Sequence, residues 1–212
     1  MPLMDENMKE LKELPAGWRW ATLGDVCEKQ TGIYDPGLEP DKIFRYIDIS
    51  SVDNKLKRIS EARAIIGKEA PSRARKIIRK GDIILSTTRP NLNAVAMVLE
   101  ELDGQICSTG FCVLRSTSLV NETYLFLFAQ SNDFVKNLSD LVKGALYPAV
   151  TDSQVMSQKI PLPPLPEQRR IAVLLTEQLA AVEQARKAAE AQLAAINDLP
   201  ATLLRQAFSS VP

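Results

Sequence analysis

The residues with the most to offer chemically are cationic. Ten basic side chains fall between Lys55 and Lys80, and only Glu61 and Glu69 oppose them. Arg73, Arg75, Lys76 and Arg79 are the densest part of the run. Such an excess can neutralise phosphates and release their counterions. Shortly afterwards comes Ser86-Thr-Thr-Arg-Pro-Asn-Leu-Asn93, a loop of hydroxyl, guanidinium and amide groups. Arginine pairs bidentately with guanine and asparagine with adenine, so Thr87, Thr88, Arg89, Asn91 and Asn93 have the functional groups needed to read base edges. A second loop, Lys143-Gly-Ala-Leu-Tyr-Pro148, adds Lys143 and Tyr147. The competing view is that these are an ordinary solvated face and ordinary polar loops.

Other chemistry is missing. The chain has no histidine, which removes the commonest general base, the Ser-His and Cys-His nucleophile systems and the commonest metal ligand. No glycine-rich phosphate cradle occurs. Asp48, Asp53 and Asp82 read as turn or cap residues rather than metal ligands. Cys27, Cys107 and Cys112 are widely spaced and odd in number, so they suggest buried thiols rather than disulfides or a zinc site. We expect no catalytic residues, no metal and no bound cofactor. Net charge is zero over 212 residues, so the basic run is a local excess and not a global one.

These groups need a scaffold. With 45% apolar and 25% charged residues, the chain can build a real core. The opening residues are acidic and lack a signal-peptide pattern, and no apolar run approaches a membrane span. A cytoplasmic protein is expected. Residues 1–13 read as a frayed segment. The stretch from residue 14 begins with an extended piece carrying Trp18 and Trp20, then one helical turn within Thr22–Glu28. Strands are expected at Phe44–Ile49, Ala64–Ile66, Asp82–Leu85, Ala94–Leu99 and Phe111–Leu114, separated by turn residues such as Lys80-Gly81-Asp82. Two helices follow. The first is capped by Asn121, and the second begins near Asn132 and stops at Gly144. Residues 145–159 read as loop.

The texture then changes. The proline run 161–166 excludes helix interior and central strand. From Glu167 to Asn197 there is neither glycine nor proline, and the residues are mostly strong helix formers. Ile171, Leu175, Gln178, Val182, Ala185, Ala189, Gln192, Ile196 and Leu199 follow the alternating four-three spacing of a coiled-coil seam. Leu174, Ala181, Ala188 and Ala195 widen that face. From Pro166 to Ile196 the helix spans about 45 Å, more than a small domain covers, so the seam calls for a partner. Pro200 predicts a kink or break, with a short terminal helix in 167–209 beyond it. The fold class is α+β: a globular, mixed β-rich domain over 14–160, a junction, and a long C-terminal coiled-coil helix.

Four stretches carry a resemblance. They are Leu14-Pro-Ala-Gly-Trp-Arg-Trp-Ala-Thr-Leu-Gly-Asp25, Lys80-Gly-Asp-Ile-Ile-Leu-Ser86, Pro161-Leu-Pro-Pro-Leu-Pro-Glu-Gln-Arg-Arg-Ile-Ala172 and Leu203-Leu-Arg-Gln-Ala-Phe-Ser209. With them the chain resembles the specificity (S) subunit of type I restriction-modification systems. Full members of that family have two target-recognition domains and two spacer helices, and this chain has one of each. It therefore looks like a half-subunit, whether a natural half-length protein or a fragment. The resemblance implies non-catalytic recognition of double-stranded DNA. It also implies assembly with methyltransferase (M) subunits that use S-adenosylmethionine, and with a restriction (R) subunit. Two copies paired antiparallel through the helix, as a homodimer, would restore a two-domain reader. A coiled-coil scaffold or antitoxin-like adaptor that reads no sequence remains the alternative.

Overall fold

The computed structural model describes residues 13–29 and 32–209. The segment expected to fray therefore lies outside the described residues, apart from Glu13. The chain divides near residue 169 into two units.

The first unit opens on strand β1 (Arg19–Thr22) and one helical turn, α1 (Leu23–Val26). The Asp25 carboxylate accepts from the Thr22 N–H at 2.8 Å and from its hydroxyl at 2.7 Å, which closes that turn at its start. Ten further strands follow: β2 (Ile43–Ile47), β3 (Val52–Asp53), β4 (Arg58–Ile59), β5 (Arg63–Ile66), β6 (Ala74–Ile77), β7 (Ile83–Ser86), β8 (Val95–Met97), β9 (Ile106–Ser108), β10 (Phe111–Leu114) and β11 (Lys159–Leu162). Helices α2 (Glu122–Ala129), α3 (Asn132–Asp140) and α4 (Asp152–Met156) lie between the last two.

The expected strands all occur, with ends shifted by a residue or two. Strands β3, β4, β6, β9 and β11 lie outside the expected set. The Arg-Lys pair of β6 hides its alternation, and β9 is only three residues long. The segment 145–159 also contains a helix. Its signal was present in Thr151-x-x-Gln154: the Gln154 side chain accepts from the Thr151 N–H at 2.9 Å, and the Thr151 hydroxyl accepts from the Gln154 N–H at 3.1 Å.

A four-stranded sheet has the order β5-β2-β9-β6, with β2 and β9 parallel and the other pairs antiparallel. A three-stranded antiparallel sheet has the order β10-β7-β8. Ile47, Ile78, Ile84, Ala96, Cys107, Phe111 and Val113 belong to one buried cluster. Under the lysine-glycine turn, buried Asp82 receives the Arg79 N–H at 2.7 Å and a two-pronged ion pair from Arg115 at 2.8 and 2.7 Å. That neighbour raises the Arg115 guanidinium pKa. Gly81 supplies the positive φ of +82° that the turn requires.

Strands β1 and β11 pair antiparallel, with Trp20 opposite Pro161. The start of the domain is thus stitched to its exit. Pro161 is tolerated because β11 has no second neighbour. Helix α5 (Leu165–Ser209) starts two residues before the expected Glu167, and the Pro164 carbonyl accepts from the Glu167 and Gln168 N–H groups. Gln168 is 1% exposed. Its carbonyl accepts from the Asn121 N–H at 2.8 Å, and its amide donates to the Pro163 and Leu119 carbonyls at 2.8 and 3.2 Å. The first turn of α5 is therefore fastened to the cap of α2.

The second unit is the rest of α5. Of the kink or break expected at Asp198-Leu-Pro200, the break does not occur, because Pro200 lies inside a continuous helix. A proline removes only its own N–H and crowds one carbonyl, here that of Ile196. Beyond the weak formers Asn197, Asp198 and Thr202, Ala194, Ala195 and Leu203–Arg205 favour helix on either side of it. At 45 residues the helix is about 67 Å long. Leu175, Val182, Ile196, Leu199 and Leu203 are 38–64% exposed. Gln178, Ala185, Ala189 and Gln192 are exposed as well, and Ile171 is half-buried. Off the seam, Glu183 pairs with Arg186 at 2.8 Å and with Lys187 at 3.8 Å, and Arg186 also reaches Glu190. Among the described residues no helix is long and apolar enough to cross a membrane.

Candidate nucleic-acid interface

Strand β7 delivers the first candidate loop. The strand ends at Ser86, and Thr87 turns inward: it is buried, and its N–H and hydroxyl both donate to the Gly110 carbonyl at 2.9 Å. Arg89 then adopts a left-handed backbone (φ +50°), Pro90–Leu92 form one 3-10 turn, and Asn93 is left-handed again (φ +47°). Proline suits the first position of such a turn. Arg89 and Asn91 are exposed, whereas Thr88 and Asn93 are half-buried.

The second candidate loop is 50 or more residues away in sequence and lies against the first. The Val150 N–H donates to the Thr87 carbonyl at 2.9 Å, the Arg89 N–H donates to the Pro148 carbonyl at 2.8 Å, and Thr88 and Ala149 form an isolated bridge. Beyond that stalk Leu146 and Tyr147 are 87% and 86% exposed. Lys143 is exposed beside Gly144, whose φ is +84°.

A third loop joins them. Hairpin β3–β4 turns through Asp53–Arg58, where the Asp53 carboxylate accepts from the Lys55 and Leu56 N–H groups at 2.8 and 2.9 Å. Lys57 reaches from this turn to donate to the Asn93 carbonyl at 2.5 Å. Exposed Lys55 and Arg58 flank it. Composition marks them as part of the basic run, but nothing local in the sequence points to their meeting the Arg89 loop.

The basic run itself is partly spent. Lys76 is 18% exposed, and it donates to the Phe111 carbonyl at 2.6 Å and to Asp152 at 2.5 Å. Arg75 pairs with Asp35 at 2.7 Å and Arg63 with Asp48 at 3.1 Å, and Lys80 pairs with Glu100. Four of the ten cations thus meet acids from outside the run, which roughly halves its excess. Thr87 and Lys76 are committed to the fold and leave the candidate set. Arg73 stays exposed, and its carbonyl accepts from the Thr109 N–H next to the Gly110 that holds Thr87. Arg79 is exposed too, but it precedes β7 whereas the Arg89 loop follows that strand. A four-residue strand puts about 13 Å between them.

No group of three or more potential metal ligands occurs among the described residues. The three cysteines are buried and free. Burial pushes the Cys27 and Cys107 thiols up to about 12 and raises Cys112 as well, so none is a nucleophile. The surface described above therefore offers guanidinium, ammonium, amide and aromatic groups on backbone-braced loops.

The type I restriction modification DNA specificity domain matches residues 15–191, and the chain belongs to that family. It is 28% identical over 163 residues to the HindI type I restriction enzyme specificity subunit of Haemophilus influenzae, covering 75% of this chain and 34% of that one. It is 24% identical over 200 residues to the Escherichia coli EcoDI specificity subunit, covering 94% and 43%. Among solved structures, the HsdS subunit of Thermoanaerobacter tengcongensis is 43% identical with a TM-score of 0.79, covering 92% of this chain and 49% of that one. A chain from a structural study of complex assembly and conformational transition in the type I restriction-modification system is 42% identical, with a TM-score of 0.80 over 93% and 50%. The chain thus spans a third to a half of the length of these relatives.

Proposed function

We propose that this chain is a non-catalytic DNA-specificity module that reads one half of a bipartite site in double-stranded DNA. The observation that carries this reading is the convergence of three loops. Hydrogen bonds join the loops bearing Lys55 and Arg58, Arg89 and Asn91, and Lys143 and Tyr147. Arg89 and Asn91 are the base-edge readers, and Lys55, Lys143 and Arg73 are phosphate contacts.

The exposed seam of α5 pairs with a second copy in antiparallel fashion. A seam of about 48 Å, from Ile171 to Leu203, separates two half-sites by a gap on the order of 10–14 bp. Methyltransferase and restriction subunits gather on this module, and the methyltransferase subunits carry S-adenosylmethionine. Selection from a randomised duplex library, with the full chain and its methyltransferase partner, tests this. A palindromic site with an unread centre is expected, and a continuous asymmetric site overturns the two-fold reading. Weak binding with no sequence preference would favour a pure scaffold.

A further inference from the structure

Three residues other than glycine have a left-handed backbone among the described residues: Lys57 (φ +53°), Arg89 (φ +50°) and Asn93 (φ +47°). All three belong to one cluster. Arg89 and Asn93 bracket the Pro90–Leu92 turn, and the Lys57 ammonium donates to the Asn93 carbonyl at 2.5 Å. A side chain in this region costs energy that glycine would avoid, and such positions persist only where their surroundings over-determine them.

Lys57 sits where a hairpin turn would ordinarily take glycine. Its N–H closes the turn onto the Asp53 carbonyl at 2.8 Å, which a glycine would do equally well. What glycine cannot supply is the ammonium. That group is half-buried, and burial lowers its pKa, so it is held in place against its own solvation. Asn93 is braced on its other side, where its amide donates to the Gln130 carbonyl at 3.2 Å. Its own side-chain oxygen is buried with no partner. Two unfavourable backbones, a desolvated ammonium and an unpartnered side-chain amide oxygen thus converge on the five residues Arg89–Asn93. The parts of the turn that reach solvent are Arg89, Asn91 and Leu92, and of these only Arg89 and Asn91 carry polar side chains.

We propose that Lys57 is a positioning residue for sequence discrimination: by clamping the Asn93 carbonyl it holds Arg89 and Asn91 in the geometry that reads base edges. The inference rests on the DNA-reading role proposed above and deepens it. Bidentate readout tolerates little displacement, so a loosened turn loses discrimination before it loses general affinity.

The test uses Lys57→Gly in the full chain with its methyltransferase partner. Binding is measured on the library-selected duplex, on its single-base-pair variants and on an unselected duplex, across a salt series. Glycine relieves the left-handed backbone, so the melting midpoint is expected to hold. Discrimination between the selected duplex and its variants should fall about tenfold or more at the base pairs read by this loop. Affinity for the unselected duplex and its salt slope should stay unchanged, and Lys57→Arg should restore most of the discrimination. Undiminished discrimination in Lys57→Gly overturns the clamp. An equal loss on every duplex with a salt slope lower by about 1 also overturns it, because Lys57 is then a phosphate contact. A collapsed melting midpoint overturns it too, because the role is then structural. Wild-type protein that fails to discriminate overturns the DNA-reading role itself, and the two failures are thereby told apart.

Discussion

Ile196→Asp is the sharpest perturbation of the proposed dimer. Ile196 is 60% exposed on the isolated helix. Burying a whole isoleucine is worth about 1.5–3 kcal/mol, so sealing the exposed fraction contributes about 1.5 kcal/mol. Two-fold symmetry counts each substitution twice, which makes the lost burial about 3 kcal/mol, or roughly a hundredfold in dissociation constant. An aspartate left unpaired in the seam adds a desolvation cost of its own. Sedimentation equilibrium on the full chain reads the result directly. Wild type should be dimeric at micromolar concentration and Ile196→Asp monomeric, with helix content in the globular unit unchanged. Lys187→Ala is the control, since Lys187 lies off the seam and its only described ion pair is a 3.8 Å contact with Glu183. A dimer of unaltered strength in Ile196→Asp would remove the seam as the interface and refute the reasoning that an exposed heptad face implies a second helix.

Arg115→Met should destabilise the globular unit by about 3–5 kcal/mol, because it leaves the Asp82 carboxylate, 1% exposed, without its cation. A melting shift of only a degree or two would show the pair to be dispensable. Native protein at pH 8 should resist iodoacetamide at all three cysteines, whose pKa values burial raises; mass spectrometry should find label only after denaturation, and native labelling would contradict the described core. The Leu56 and Lys55 N–H groups hold the Asp53 carboxyl below its ordinary 3.8. Its contribution to the Lys57 hairpin is therefore complete above that value and lost as pH falls through the lower folded one. An NMR titration of the Leu56 amide should give a midpoint under 3.8, and a midpoint above it would contradict the turn.

The sequence alone determined whatever is written within a turn or two of chain. Asn121 announces α2 because its side chain meets the Tyr124 N–H three residues on, at 3.0 Å. Gly81 marks its turn because only a residue without Cβ takes that backbone cheaply. The seam of α5 is legible because helical period is local. The same locality left a kink or a break open at Pro200, and the folded helix runs on without a break. Tertiary structure decided the rest. It spent Lys76 on Asp152, 76 residues away, and joined Lys57 to Asn93 across 36. It also laid Pro148 against Arg89 and put Arg79 and the Arg89 loop on either side of β7. No periodicity encodes such meetings, because they are set by which strands pair and which carbonyls are left seeking donors once the core has closed. The cationic run thus showed which chemistry the chain carries, and the packing of its sheets chose which of those groups stay free for a partner.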